Sequence, residues 1–166
     1  MASELRVDKI HNEGGDNDSG IDLSTNDQIV LKTANTTRLT MNATGQTTIV
    51  GEGGSTTTNL QQGLAKAWVN LNGTGTAAVR DSFNNASITD NGTGDYSTTV
   101  TNAFGSVNYV CVATAGQNSG DQAAASNNEA GTNRTTTVIK TQVQRSTSDS
   151  ALDVSVCEMT KMGDLA

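Results

Sequence analysis

Short apolar clusters separated by turn formers run through the first fifty-odd residues: Leu5/Val7/Ile10, Ile21/Leu23, Ile29/Val30/Leu31, Leu39/Met41 and Ile49/Val50, with Gly, Asn, Asp and Thr between them. Clusters two or three residues wide, bounded by residues that favour turns, predict short β-strands, and helical spacing is absent. From Gly51 to Gly63 the aliphatic pattern stops except at Leu60, which predicts a linker. Beyond it the alternation is cleaner. Ala67, Val69 and Leu71 alternate with polar positions, and further strands are expected over Ala77 to Phe83, Tyr96 to Thr101, Val107 to Thr114, Thr135 to Gln144 and Leu152 to Met159. Asn72-Gly73 and Asn91-Gly92 fall between such runs and predict hairpin turns, because both positions tolerate the positive φ of a tight reversal. The long polar stretch from Gly116 to Asn133 reads as an exposed loop. The expected organisation is an attachment or shaft region over residues 1–54, a linker over 55–65, and a β-sandwich over 66–166, so the fold class is all-β.

Composition alters this picture in one respect. Only 34% of residues are hydrophobic and 3% aromatic, and proline is absent. A charged fraction of 16% is too low for an ordinary disordered chain, so the Gly, Ser, Thr and Asn abundance is read as thin β-structure. Ile21 to Val50 holds nine large aliphatic residues in thirty, too few to offset the entropy of ordering that segment in one isolated chain. Several copies sharing one apolar core around a common axis remove the shortfall. Ile21, Leu23, Ile29, Leu31, Leu39, Met41 and Ile49 are the expected packing residues of such an assembly. Trp68 joins them. It points away from Ala67, Val69 and Leu71, with Lys66 and Asn70, and suits either packing or stacking against a sugar.

A net charge of −7 and scattered Lys and Arg exclude a nucleic-acid partner. No apolar run is long enough to insert in a membrane, and Met1-Ala2-Ser3-Glu4-Leu5-Arg6 does not begin a secretory signal. Cys111 and Cys157 stand far apart within apolar runs, as expected of buried thiols.

Candidate chemistry is sparse. Asp16, Asp18, Asp22 and Asp27 form a Gly-broken acidic run that could hold Ca²⁺, but Gly20 comes one place early for the usual loop and Asp27 stands where a bidentate Glu belongs. A solvated turn is the expectation, with no metal and no cofactor. The Gly73/Gly75 and Gly92/Gly94 pairs do not complete a phosphate-binding pattern. His11 lacks a nucleophile motif, and Asp81, Asp90, Asp95 and Glu129 lack the aromatic platforms of a sugar-cleaving groove. No catalysis is expected and no catalytic residue is assigned.

Lys66-Ala67-Trp68-Val69-Asn70, then Arg80-Asp81-Ser82-Phe83-Asn84, then Ile88 to Tyr96 follow one another in an order and spacing that resemble a module of tail-fibre and related virion proteins of tailed bacteriophages, especially marine ones. Ser3-Glu4-Leu5-Arg6-Val7-Asp8-Lys9-Ile10 is similar to the beginning of phage fibre and appendage proteins, where this end joins the virion. The resemblance implies a homotrimeric virion component, assembled in the host cytoplasm, held by another virion protein at its N-terminal end. It implies a distal β-domain that contacts a host cell-surface polysaccharide or protein, and transfers no catalytic residue. A long fibre has a far longer shaft, so the chain reads as a short fibre or receptor-binding appendage, or else a capsid or tail decoration.

Overall fold

The computed structural model describes residues 5–12, 14, 18–51, 53–116, 123–127 and 134–166. The fold is all-β, with antiparallel pairing throughout. It divides into two compact units, Met1–Gly63 and Leu64–Ala166.

Unit 1 is one six-stranded meander, β1 (Lys9–His11), β2 (Gly20–Asp22), β3 (Ile29–Thr33), β4 (Thr36–Met41), β5 (Thr47–Val50) and β6 (Thr57–Asn59), each strand paired with the next in sequence. The expected linker over 55–65 is corrected here: its Thr57–Asn59 pairs with β5, Leu60–Gly63 forms a single helical turn, and Ala65 already begins the next strand. Runs of Thr supply β-propensity without apolar bulk, which hides such a strand from a hydrophobic pattern. Gln61 fastens the turn to the sheet, its Oε1 accepting from Thr47 N (2.8 Å) and its Nε2 donating to Gly45 O (2.8 Å). Gly20 is obligatory at its position, since a Cβ there would fall on the Ile10 carbonyl oxygen across the β1–β2 pair.

Unit 2 is a sandwich of two four-stranded sheets. One has the order β11 (Val110–Ala115), β14 (Cys157–Met162), β7 (Ala65–Asn72), β8 (Ala78–Phe83). The other has the order β12 (Ala123–Asn127), β13 (Val138–Arg145), β10 (Asp95–Val100), β9 (Asn85–Gly92). The chain turns from the first sheet into the second through Asn84 alone, which takes a left-handed φ of 51°. Its side chain ties three segments together, donating to Lys66 O (2.9 Å) and Asn102 O (3.2 Å) and accepting from Asn102 N (2.7 Å). Asn is among the few residues that enter this region cheaply.

The core lies between these sheets. Ala67, Val69 and Leu71 from β7, Cys157 and Met159 from β14, and Tyr96, Ile139 and Val143 from the facing sheet are buried, as the period-two alternation requires. Phe104 and Tyr109 stack with ring centroids 4.6 Å apart, and the Arg134 guanidinium lies 4.1 Å above the Tyr109 ring. The C-terminal strand β14 sits in the middle of its sheet, between β11 and β7.

Three local expectations change. The tight reversal of the second Asn-Gly-Thr-Gly falls at Thr93-Gly94, with Gly92 inside β9 and Gly94 at φ +67°. β9 itself is an additional strand that carries only Ile88 as a large aliphatic residue. The stretch read as a loop from Gly116 to Asn133 contains β12, in register with β13 from Ala123↔Arg145 to Asn127↔Thr141, while residues 117–122 and 128–133 lie outside the described residues.

Candidate functional site

In unit 1 the register places one apolar row straight across the sheet: Ile10 opposes Ile21, Ile21 opposes Leu31, Leu31 opposes Leu39, and Leu39 opposes Ile49. Directly opposed residues point to the same face. Ile29 and Met41, also paired, share that face two residues further along, and with Leu23 they line an open groove of about 610 Å³. All seven aliphatic residues expected to pack between copies therefore stand on one face, with Ile10 added.

The opposite face is polar. Lys9, Asp22, Thr40, Thr48 and Asn59 fall in one row, with Val30 as its aliphatic member. Lys32 on the same face donates to Asp22 over 2.6 Å, and Ser24 donates to Asp22 through both N and Oγ, so the neighbouring ammonium and hydrogen bonds hold this carboxyl well below the usual carboxylate range.

The described residues of unit 1 leave the apolar face open. Ile10, Leu23, Ile29, Leu31 and Met41 remain between 37% and 47% exposed, and the buried core cluster of the molecule lies wholly in unit 2. A sheet with one apolar face is stable when that face packs against another layer, and among the described residues unit 1 is a single layer. Covering each of these side chains is worth on the order of 1 kcal/mol.

The acidic run does not converge. Asp18 and Asp22 carry local hydrogen bonds, Asp27 accepts from its neighbour Asn26 (2.7 Å), and Asp16 lies outside the described residues. Among the described residues no group of three or more His, Cys, Asp or Glu is placed to share a metal ion. His11 is exposed on the edge strand β1, opposite Gly20.

In unit 2, Asp81 lies on β8, whereas Asp90 and Asp95 lie on β9 and β10 of the facing sheet, each engaged by nearby donors: Ser82 N, Gly92 N and the Asn91 amide. Glu129 lies outside the described residues. Cys111 and Cys157 are buried thiols on neighbouring strands, but Cys111 opposes Lys161 and Cys157 opposes Ala115, four residues or roughly 13 Å apart along the sheet, too far for a disulfide. Burial, then the charge of Cys111, pushes the Cys157 thiol up to about 11. Trp68 is half-buried on the outer face of β7 and borders a shallow cleft of about 280 Å³ with Asn70, Glu158 and Thr160.

Asp153 was not singled out by its sequence context. It is a structural anchor, accepting from the Tyr96 hydroxyl (2.9 Å) and from Gly94 N (2.7 Å). Comparison of the chain with protein-family models, with curated proteins and with solved structures gave no match.

Proposed function

We propose that this protein is a non-enzymatic structural component of a tailed-bacteriophage virion that works as a homotrimer, a short tail fibre or receptor-binding appendage. The observation that carries the reading is the row Ile10–Ile21–Leu31–Leu39–Ile49, half-buried to exposed aliphatic side chains on one face that identical neighbours would bury further. Three is the number of copies that the resemblance of Lys66 to Tyr96 implies. Contact with a host polysaccharide or protein would then come from many weak contacts multiplied over copies.

Sedimentation equilibrium of the purified chain tests the assembly, with a trimer expected and a monodisperse monomer at micromolar concentration excluding it. Adsorption tests the role: the protein is expected to bind host cells and block phage attachment. Release of oligosaccharide from host capsule or lipopolysaccharide would replace the reading with a depolymerase.

A decoration of the capsid or tail is the second reading, supported by β1, which is an edge of its sheet and offers a strand for pairing with another virion protein. Labelled protein on the head rather than the tail tip would select it.

A further inference from the structure

The tetrapeptide Asn-Gly-Thr-Gly occurs twice, at 72–75 and at 91–94, and the fold holds the two copies in opposite ways. In an Asn-Gly pair the asparagine side chain is open to attack by the backbone nitrogen that follows it, because glycine has no Cβ to obstruct the approach. The first copy closes that approach. Gly73 is buried, its N donates to the Val154 carbonyl (2.9 Å), its carbonyl accepts from the Tyr96 hydroxyl (3.3 Å), and a Cβ on it would fall on that hydroxyl. The Asn72 side chain is turned onto Thr74, accepting from Thr74 N (3.3 Å) and Thr74 Oγ1 (2.8 Å) and donating to Thr74 O (3.3 Å).

The second copy is open. Gly92 pairs with Asp95 and Asp90 pairs with Tyr96, which makes Asn91 the extra residue of a bulge beside the β9–β10 turn. Asn91 and Gly92 are both exposed, and a Cβ on Gly92 would meet open space. Asn91 Nδ2 donates across the bulge to Ser97 Oγ (2.8 Å) and Asp95 Oδ1 (3.3 Å). Gly92 N donates to the Asp90 carboxyl (3.0 Å), an exposed bond that water can replace. Breaking the corresponding Gly73 bond would instead strand the carbonyl of the fully buried Val154.

We propose that Asn91 is a site of spontaneous deamidation in the folded protein, and that the fold protects Asn72 from the same reaction. Gly92 N attacks Asn91 Cγ, the Cγ–Nδ2 bond breaks, and the departing amide nitrogen takes up the Gly92 proton and leaves as ammonia. Water then opens the cyclic imide at either carbonyl, giving aspartate or isoaspartate at position 91. The net reaction consumes water and releases ammonia, with no oxidant and no cofactor. Each conversion makes the net charge of −7 one unit more negative and sets a third carboxyl beside Asp90 and Asp95, where an amide had donated to Asp95. Isoaspartate also lengthens the backbone by one carbon, and a bulge, already one residue longer than its partner strand, absorbs it without shifting the ladder on either side. The hairpin end loosens while the sandwich stays folded. None of this depends on the assembly proposed above.

The two asparagines can be compared within one molecule. Folded full-length protein is kept in mildly alkaline buffer, digested at intervals and mapped by mass spectrometry, with isoaspartate labelled by an isoaspartyl methyltransferase. Conversion at Asn91 is expected to run about tenfold faster than at Asn72, since one buried hydrogen bond left unmade is worth about that factor. In urea the two rates should converge, because both asparagines are followed by the same Gly-Thr-Gly. Asn91→Gln should remove the first acidic species that ion exchange resolves from the folded protein, with circular dichroism unchanged. Equal rates in the folded chain, faster conversion at Asn72, or conversion of Asn91 in urea alone overturns the inference. Acid at position 91 without isoaspartate overturns it as well, because water rather than Gly92 N would then be the attacking group.

Discussion

Lys161 spans the interior of the sandwich to Thr98: its Nζ donates to Thr98 Oγ1 over 2.7 Å, and both residues are fully buried. Thr98 Oγ1 in turn donates to the Ile139 carbonyl (3.3 Å), and the neighbouring Thr141 hydroxyl donates to Met159 Sδ (3.1 Å). A polar seam thus crosses an otherwise apolar core. Thr98→Val deprives the buried Lys161 amino group of an acceptor and should cost about 1–3 kcal/mol. Lys161→Met removes the buried polar group together with its requirement for an acceptor and should cost less or stabilise. Urea midpoints of the two variants give the order, and Lys161→Met as the more damaging one would contradict it.

Gly94 and Gly75 separate two effects that usually travel together. Both have positive φ, +67° and +68°. A Cβ at Gly75 meets open space, whereas at Gly94 it would fall on the Val143 carbonyl oxygen. Gly75→Ala is expected to cost about 1 kcal/mol for the left-handed backbone alone. Gly94→Ala should cost clearly more, because the clashing atom is backbone that also accepts from Leu152 N. Equal melting temperatures for the two variants would refute this.

Alkaline pH should loosen the sandwich. Burial raises the Cys157 thiol from an ordinary 9.0 to about 11, so the unfolded chain gives up its proton first. The associated stability, roughly 2–3 kcal/mol, is present below about pH 9 and is lost as pH rises toward and through 11. Tyr96, whose hydroxyl is raised by burial and by its hydrogen bond to Asp153, acts in the same direction at higher pH. Melting temperature measured against pH should fall across that window, and Cys157→Ala should flatten the first part of the fall.

Leu31 and Thr40 stand on opposite faces of the same sheet, which makes them a matched pair for the assembly. Leu31→Asp places a charge at the centre of the apolar row and should dissociate the oligomer, whereas Thr40→Asp on the polar face should leave it intact. Light scattering at micromolar concentration distinguishes the two.

The strands that were legible in the sequence are those with paired aliphatic residues. Ala67, Val69 and Leu71 announced β7 and correctly sent Trp68 to the other side. β9 and β12 were hidden because Asn85–Gly92 offers only Ile88, and Ala123–Asn127 is Ala, Ser and Asn, residues with little β-preference of their own that are held by the partner strand. The common face of Ile10, Ile21, Leu31, Leu39 and Ile49 depends on register, including the shift between Leu31 and Lys32 that a local pattern does not reveal. Register equally decides that Phe83 and Val112, far from Trp68 in sequence, join its row. The burial of Lys161 carries no signal in the local sequence, since its acceptor Thr98 lies 63 positions away.

The central place of β14 has a bearing on how a ribosome delivers this molecule. Each strand of unit 1 finds its partner in the adjoining stretch of sequence, so all the strands of that sheet are outside the ribosome before the sandwich has its own. The sandwich waits longer, because β11 and β7 have no ladder between them until Cys157–Met162 emerges and slots in, bringing Glu158 to Asn70 across 88 positions. A nascent chain therefore carries half-built sheets with open edges until β14 has left the ribosome, which makes co-translational protection of β7 and β11 a decisive stage in its production.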